Sequence, residues 1–225
     1  METMYSPSVD DESAADYDVQ REMYGWYGPE ALFGLMFEYI HPGETLLALG
    51  IGTGLGASLF YKAGLRVWGL DWSGEMLKAS ARKGFAVELV QRDLRDMPLP
   101  YGAGFFNHII AAGVLNFLGD LEPILMEAAR VMKAGGVLGF TVEDRKADQS
   151  EAYIMGQAEI VEESEREAGF RMYRHGREYV CALLGQGGFA PLREFEFLAS
   201  KSPQGSELPG MFGKAYVARK VGIEP

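Results

Sequence analysis

The sequence predicts an α/β fold: a doubly wound, seven-stranded, mostly parallel sheet whose last strand is antiparallel, with helices on both faces. Two observations predict it. Between residues 44 and 142, short apolar runs bounded by Gly, Asp or Pro alternate with stretches of helical spacing, which is the pattern of βαβ units. After a charged interruption, apolar runs at 192–198 and 214–218 flank a loop holding Pro203, Gly205, Pro209 and Gly210, as the strands of an antiparallel hairpin would. A chain of 225 residues, 48% apolar, fills one core with room for a decoration. The expected division is an N-terminal segment, 1–43, and a single domain, 44–225, carrying a helical insertion at about 144–176.

Taken in order, residues 1–16 are polar and acidic with no apolar period, so order is expected from about Tyr17. Aromatics then crowd the chain (Tyr17, Tyr24, Trp26, Tyr27, Phe33, Phe37, Tyr39), and Pro29 suits the first turn of a helix that runs toward Ile40 and stops at Pro42-Gly43. Strands are predicted at 45–49, 66–70, 86–90, 105–111 and 136–142; their runs are apolar on both faces, as covered parallel strands are. Helical spacing occupies 54–63, 74–83 and 121–132. The segment from Asp144 to Tyr173 is charged, with Glu162, Glu163, Glu165 and Glu167 close together, and reads as helical in its middle with those glutamates on a solvated face. A helix at 177–186 follows, with Cys181 among its apolar positions as a core thiol.

Composition narrows the function. Thirty-two acidic residues against twenty-one basic ones leave a formal charge of −11, which repels a phosphate backbone, so long nucleic acid is not an expected partner. One cysteine and three scattered histidines (His41, His108, His175) offer no disulfide and no ligand spacing, so no metal is expected. The acidic N-terminus lacks the basic flank and apolar run of a leader, and no apolar run approaches the roughly 18 residues of a spanning helix. A cytoplasmic chain without a membrane partner is expected.

The local motif with most chemistry is Leu46-Leu47-Ala48-Leu49-Gly50-Ile51-Gly52-Thr53-Gly54-Leu55-Gly56-Ala57, between the first strand and the first helix of the alternation. Alternate glycines let the backbone turn tightly and bring main-chain N–H groups against a ligand at a helix N-terminus. Gly52 to Ala57 also satisfies G-x-G-x-x-A, and Asp71 ends the second strand, as in NAD-binding proteins. A carboxylate fixed there accepts from ribose hydroxyls, so these two strands leave NAD and S-adenosylmethionine open; Ser73 is the better N-cap for the helix that follows.

The third strand continues into Gln91-Arg92-Asp93-Leu94-Arg95-Asp96-Met97-Pro98, an aspartate just past a strand and then a proline-bearing loop. Phe105 to Phe117 and Ala129-Arg130-Val131-Met132-Lys133-Ala134-Gly135-Gly136 extend the series, and the whole resembles class I, Rossmann-like S-adenosylmethionine-dependent methyltransferases of the type 11 kind. The resemblance implies that Gly50, Gly52, Thr53 and Gly54 form the cofactor loop, that Asp71 takes the ribose, and that Asp93 takes the adenine amino group beside the Leu94 amide. Trp72, Met76, Ala112, Gly113 and Tyr24 complete the implied cofactor set. The chain departs from the family at Ala48, where an acid is usual, at Asn107, which replaces an aspartate, and at Asn116, which stands where the loop often has histidine.

Methyl transfer is an in-line displacement whose reactive carbon belongs to the cofactor, so no triad is expected. Asn116, Tyr17 and His175 are the candidates near the reacting group, with Tyr17, Tyr24 and Trp26 either an aromatic lid or packing against the sheet. His175 and Glu143 flank the insertion and read as solvated, whereas His108 reads as a satisfied strand histidine. The expected activity is methyl transfer to a small neutral or cationic acceptor, leaving S-adenosylhomocysteine; the alternatives are a non-catalytic sensor or partner subunit that binds the cofactor, and an NAD(P)-linked oxidoreductase.

Overall fold

The computed structural model describes residues 17–19, 26–145, 151–154, 171–200 and 211–222. Tyr24, the acidic residues 1–16, the middle of the insertion with its glutamates, and the loop at 201–210 lie outside the described residues. Tyr17, Asp18 and Val19 are helical.

From Gly28 the elements are α1 (Gly28–Met36), which runs into a 3-10 turn (Phe37–Tyr39), β1 (Thr45–Leu49), α2 (Leu55–Lys62), β2 (Arg66–Asp71), α3 (Gly74–Arg82), β3 (Ala86–Gln91) and β4 (Phe106–Ala111). A second 3-10 turn (Leu115–Phe117) precedes α4 (Glu122–Val131), β5 (Met132–Arg145), β6 (Glu151–Ile154), β7 (Arg171–Gly176), α5 (Arg177–Gln186), β8 (Phe189–Ser200) and β9 (Met211–Lys220). Pro29 sits in the first turn of α1, and Ser73 caps α3 by accepting the Met76 N–H at 3.3 Å.

The sheet runs β3-β2-β1-β4-β5 in parallel, then β9 antiparallel to β5 and β8 antiparallel to β9. That is the expected topology. Two more strands enlarge it to nine among the described residues. β7 pairs in parallel with Glu143–Arg145 of β5 and antiparallel with β6. Glu143 pairs with Arg174 of β7 and Gly213 of β9, so β7 lies on the β4 side of β5 and continues the sheet past the end of β4. The insertion therefore begins and ends in strands, and its middle, expected to be helical, lies outside the described residues. A helix needs only its own residues, whereas β7 is specified by a β5 partner some thirty positions away.

Alternation along β1 divides the core. Leu47 and Leu49 join Ile109, Leu138 and Phe140 beneath α4 and α5; Leu46 and Ala48 join Val67, Ile110 and Val217 beneath α1, α2 and α3. Burying such strands on both faces removes roughly 1.5–3 kcal/mol per large side chain from solvent exposure. His108 is 3% exposed in β4, and its Nε2 lies 2.8 Å from Glu44 Oε2, so one nitrogen of this strand histidine is paired. Cys181 is half-buried, a little more open than a core thiol.

Candidate active site

The glycine loop leaves β1 with three residues in the left-handed region: Gly50 at φ +61°, Gly52 at +56° and Gly54 at +88°. They do different work. A Cβ on Gly50 would lie 2.4 Å from Val114 Cγ2, so Gly50 lets the loop pass beside the segment that follows β4. A Cβ on Gly52 would meet no described atom within 4 Å. Its face is open. Gly54 is the N-cap of α2 and its missing side chain faces Phe85 and Ser80, so it serves packing beneath the loop.

A small open cavity of about 60 Å³ lies over this loop, lined by Tyr17, Trp26, Ala48, Gly50, Gly52, Thr53, Ala112 and neighbouring apolar residues. Among the described residues the lining carries no ionised side chain. Two carboxylates hold the loop from outside it. Asp71, 6% exposed at the end of β2, accepts the Gly52 N–H at 2.8 Å and the Ser73 N–H at 2.9 Å. Burial raises its pKa, and the main-chain donors oppose that without cancelling it. Asp18 accepts the Thr53 hydroxyl at 2.5 Å. Sequence reasoning missed Asp18, because an aspartate next to an acidic stretch carries no pattern pointing to residue 53.

Beyond β3, Asp93 is held below the usual carboxylate range by hydrogen bonds from the Arg95 guanidinium, which grips both its oxygens. Leu94 is buried in the core beneath α4. Trp72 is partly exposed, and its carbonyl accepts from Gln91 Nε2 at 2.9 Å; Met76 is buried in α3. Ala112 lines the cavity, and the Gly113 N–H donates to Thr141 Oγ1 at 2.9 Å. A Cβ on Gly113 would lie 2.8 Å from Trp26 Cζ2, so Trp26 closes over this position while also packing 6.3 Å from the Phe197 ring. Trp26 thus packs on the sheet and lines the cavity with the same side chain.

Asn116, His175 and Glu143 gather at the far end of β4 and β5. Asn116 is 4% exposed and its Oδ1 accepts the Glu143 N–H at 3.2 Å. The solvated reading of His175 and Glu143 is overturned: His175 is 0% and Glu143 2% exposed. β7, laid along the 3-10 turn at Leu115, brings His175 Nε2 to 3.4 Å from the Leu115 carbonyl and stacks its ring near Tyr173 and Tyr179. Glu143 meets the Arg174 guanidinium at 3.3 Å. None of Asn116, His175 and Glu143 lines the cavity, whereas Tyr17 does.

Burial depresses the pKa of both His175 and His108, despite opposing backbone partners at the first and Glu44 at the second. Each binds a proton more readily unfolded than folded. Their contribution to stability is therefore complete above about pH 6.5 and is lost as pH falls below it toward the depressed values. The thermal midpoint should fall between pH 7.5 and 5.5, and His108→Gln should flatten that slope. A midpoint independent of pH in this window would contradict the assignment; calorimetric scans measure it.

The sheet order and the glycine loop between β1 and α2 are those of a Rossmann-like α/β fold. Residues 47–140 match a family model described as a methyltransferase domain. The chain is 32% identical over 129 residues to the malonyl-acyl-carrier-protein O-methyltransferase of Serratia marcescens, a match covering 57% of this chain and 49% of that protein. It thus spans about half the length of that curated relative. A chain of the complex between the Haloferax volcanii Trm112 methyltransferase activator and a methyltransferase superposes with a TM-score of 0.72 at 16% identity, over 97% of this chain and all of that one. A SAM-dependent methyltransferase of Methanosarcina mazei gives 0.68 at 16% identity, over 84% and 98%. The family-model match runs on through the third and fourth strands, beyond the two whose pattern NAD-binding proteins share. No described helix is long and apolar enough to cross a membrane. Among the described residues no cluster of His, Cys, Asp and Glu could hold a metal ion.

Proposed function

We propose that this chain transfers a methyl group from S-adenosylmethionine to a small-molecule acceptor, by positioning and desolvation. The observation that carries the reading is the cavity over the glycine loop, with an uncharged lining, a backbone face left open at Gly52, and a carboxylate at the end of β2 bonded to that same residue. The cofactor supplies the transferable carbon on a sulfonium; the chain's share is to bind, orient and exclude water.

In this reading Gly50, Gly52, Thr53 and Gly54 bring main chain against the cofactor. Each Asp71 oxygen accepts one N–H and keeps a second lone pair for a ribose hydroxyl. Asp93 and the Leu94 amide take the adenine edge, with Trp72, Met76, Ala112, Gly113 and the undescribed Tyr24 completing the surround. The π-faces of Tyr17 and Trp26 suit a sulfonium. The segments 1–43 and 144–176 shape the acceptor's pocket, and Asn116 lies behind it with its Oδ1 on the Glu143 N–H. The charge of −11 favours a neutral or cationic acceptor over long nucleic acid.

Ala48 lines the cavity where the family carries an acid, and this favours a second reading, cofactor binding without transfer. Calorimetric titration with S-adenosylmethionine, S-adenosylhomocysteine and NAD tests the cofactor. Binding of the first two supports the proposal, and binding of NAD alone overturns it. S-adenosylhomocysteine release in a screen of small acceptors then separates transfer from binding alone.

Asp93→Ala should weaken S-adenosylmethionine binding about tenfold or more, because a hydrogen bond to a charged group contributes roughly 1.5–3 kcal/mol. Stability should change little, since an exposed ion pair such as that with Arg95 contributes about 0–1 kcal/mol. Unchanged affinity would remove Asp93 from the site.

A further inference from the structure

Asp18 makes two long-range contacts with one carboxylate. Its Oδ1 accepts from Thr53 Oγ1 at 2.5 Å, and its Oδ2 pairs with Lys83 Nζ at 2.7 Å. Thr53 belongs to the glycine loop and lines the cavity; Lys83 is the C-cap of α3. Asp18 thus ties together the turn after β1, the end of the helix after β2, and a helical turn at 17–19 whose first residue, Tyr17, also lines the cavity.

The arrangement is poorly explained as a stabilising device. The Asp18–Lys83 pair is about one-third exposed on both sides, where an ion pair contributes about 0–1 kcal/mol. Thr53 is different, being only 2% exposed, and its hydroxyl donates to an ionised oxygen, a stronger and more directional bond. The carboxylate is thereby fixed at the loop that the ligand must touch, and Tyr17 is carried with it.

We propose that Asp18 is a cofactor-positioning residue: the Thr53–Asp18–Lys83 bridge holds Tyr17 along the cavity over the glycine loop, and this hold slows cofactor escape. The proposal rests on the S-adenosylmethionine reading of that cavity. Asp18 acts through Tyr17 and touches no reacting atom. Because Lys83 neutralises the carboxylate, the bridge adds no net charge beside the ligand.

The test uses the full chain with S-adenosylmethionine and S-adenosylhomocysteine as probes, reading affinity by calorimetry, dissociation rate by stopped flow and thermal midpoint by scanning. Asp18→Asn should raise Kd about tenfold, mostly through faster dissociation, with the midpoint nearly unmoved; tenfold corresponds to about 1.4 kcal/mol. Asp18→Glu should restore most of the affinity. Tyr17→Ala should reproduce the loss, and the double variant Tyr17→Ala, Asp18→Asn should be no weaker than either single one, since the two act as a unit. Wild-type affinity in Asp18→Asn, or losses that add in the double variant, would overturn the positioning role while leaving the cofactor reading standing. A wild-type chain that binds neither probe overturns both.

Discussion

Replacing Asp71 with alanine is expected to weaken S-adenosylmethionine binding by at least a hundredfold. A carboxylate that accepts two ribose hydroxyls supplies two hydrogen bonds to a charged group, each roughly 1.5–3 kcal/mol, and alanine supplies neither. Asp71 is also a structural acceptor, so the loss has a second part. Without it the N–H groups of Gly52 and Ser73 lose their partner, and stranding a buried donor costs about 1–3 kcal/mol. The thermal midpoint should therefore drop together with affinity. Asp71→Asn separates the two parts: it keeps the shape and one acceptor oxygen, so most stability should return while ribose recognition stays impaired. Calorimetry with S-adenosylmethionine beside a circular dichroism melt measures both, and affinity within threefold of wild type in both variants would take Asp71 out of the site.

The second large effect distinguishes two glycines two residues apart. Gly50→Ala puts a Cβ into the left-handed region, a cost of roughly 1–2 kcal/mol, and drives it to 2.4 Å from Val114, which adds about 1–3 kcal/mol of overpacking. A loss of about 2–5 kcal/mol is expected, a large part of the stability of a domain this size. Gly52→Ala pays the backbone strain alone, because its Cβ would enter open space. That open space is where the cofactor is proposed to lie. Gly52→Ala should fold with a midpoint only slightly lowered and bind S-adenosylmethionine poorly, whereas Gly50→Ala should melt early. If Gly52→Ala bound normally, the ligand would not approach the loop from this side.

These contrasts rest on a loop that was readable from sequence, and the reason is local. Alternate glycines after a buried strand restrict the backbone at the positions themselves, and β1 and α5 were predicted to the residue, at 45–49 and 177–186, because turn residues bound an apolar pattern on each side. What sequence did not reveal depends on partners far along the chain. β5 was expected at 136–142 and runs from Met132 to Arg145, because Met132 pairs with Phe106 at one end and Arg145 with Gly176 at the other. β7 mixes Arg171 and Arg174 with Met172 and Tyr173 and shows no apolar run, and His175 looks like a surface residue until the strand lies against the turn at Leu115. Asp18 is the same case at the site itself, where one side chain spans 35 residues to Thr53 and 65 to Lys83.

The docking of β7 on the far end of β5 has a consequence for how such a protein changes its preferences. A wall beside the site built on a mobile cap would be reshaped by altering loop length or hinge. Here the described ends of the insertion are stitched by main-chain hydrogen bonds to the strand that also carries Thr141, the partner of Gly113. The backbone on that side is shared property of the sheet, so a change of length at either described end of the insertion would be felt by the strand that carries Thr141.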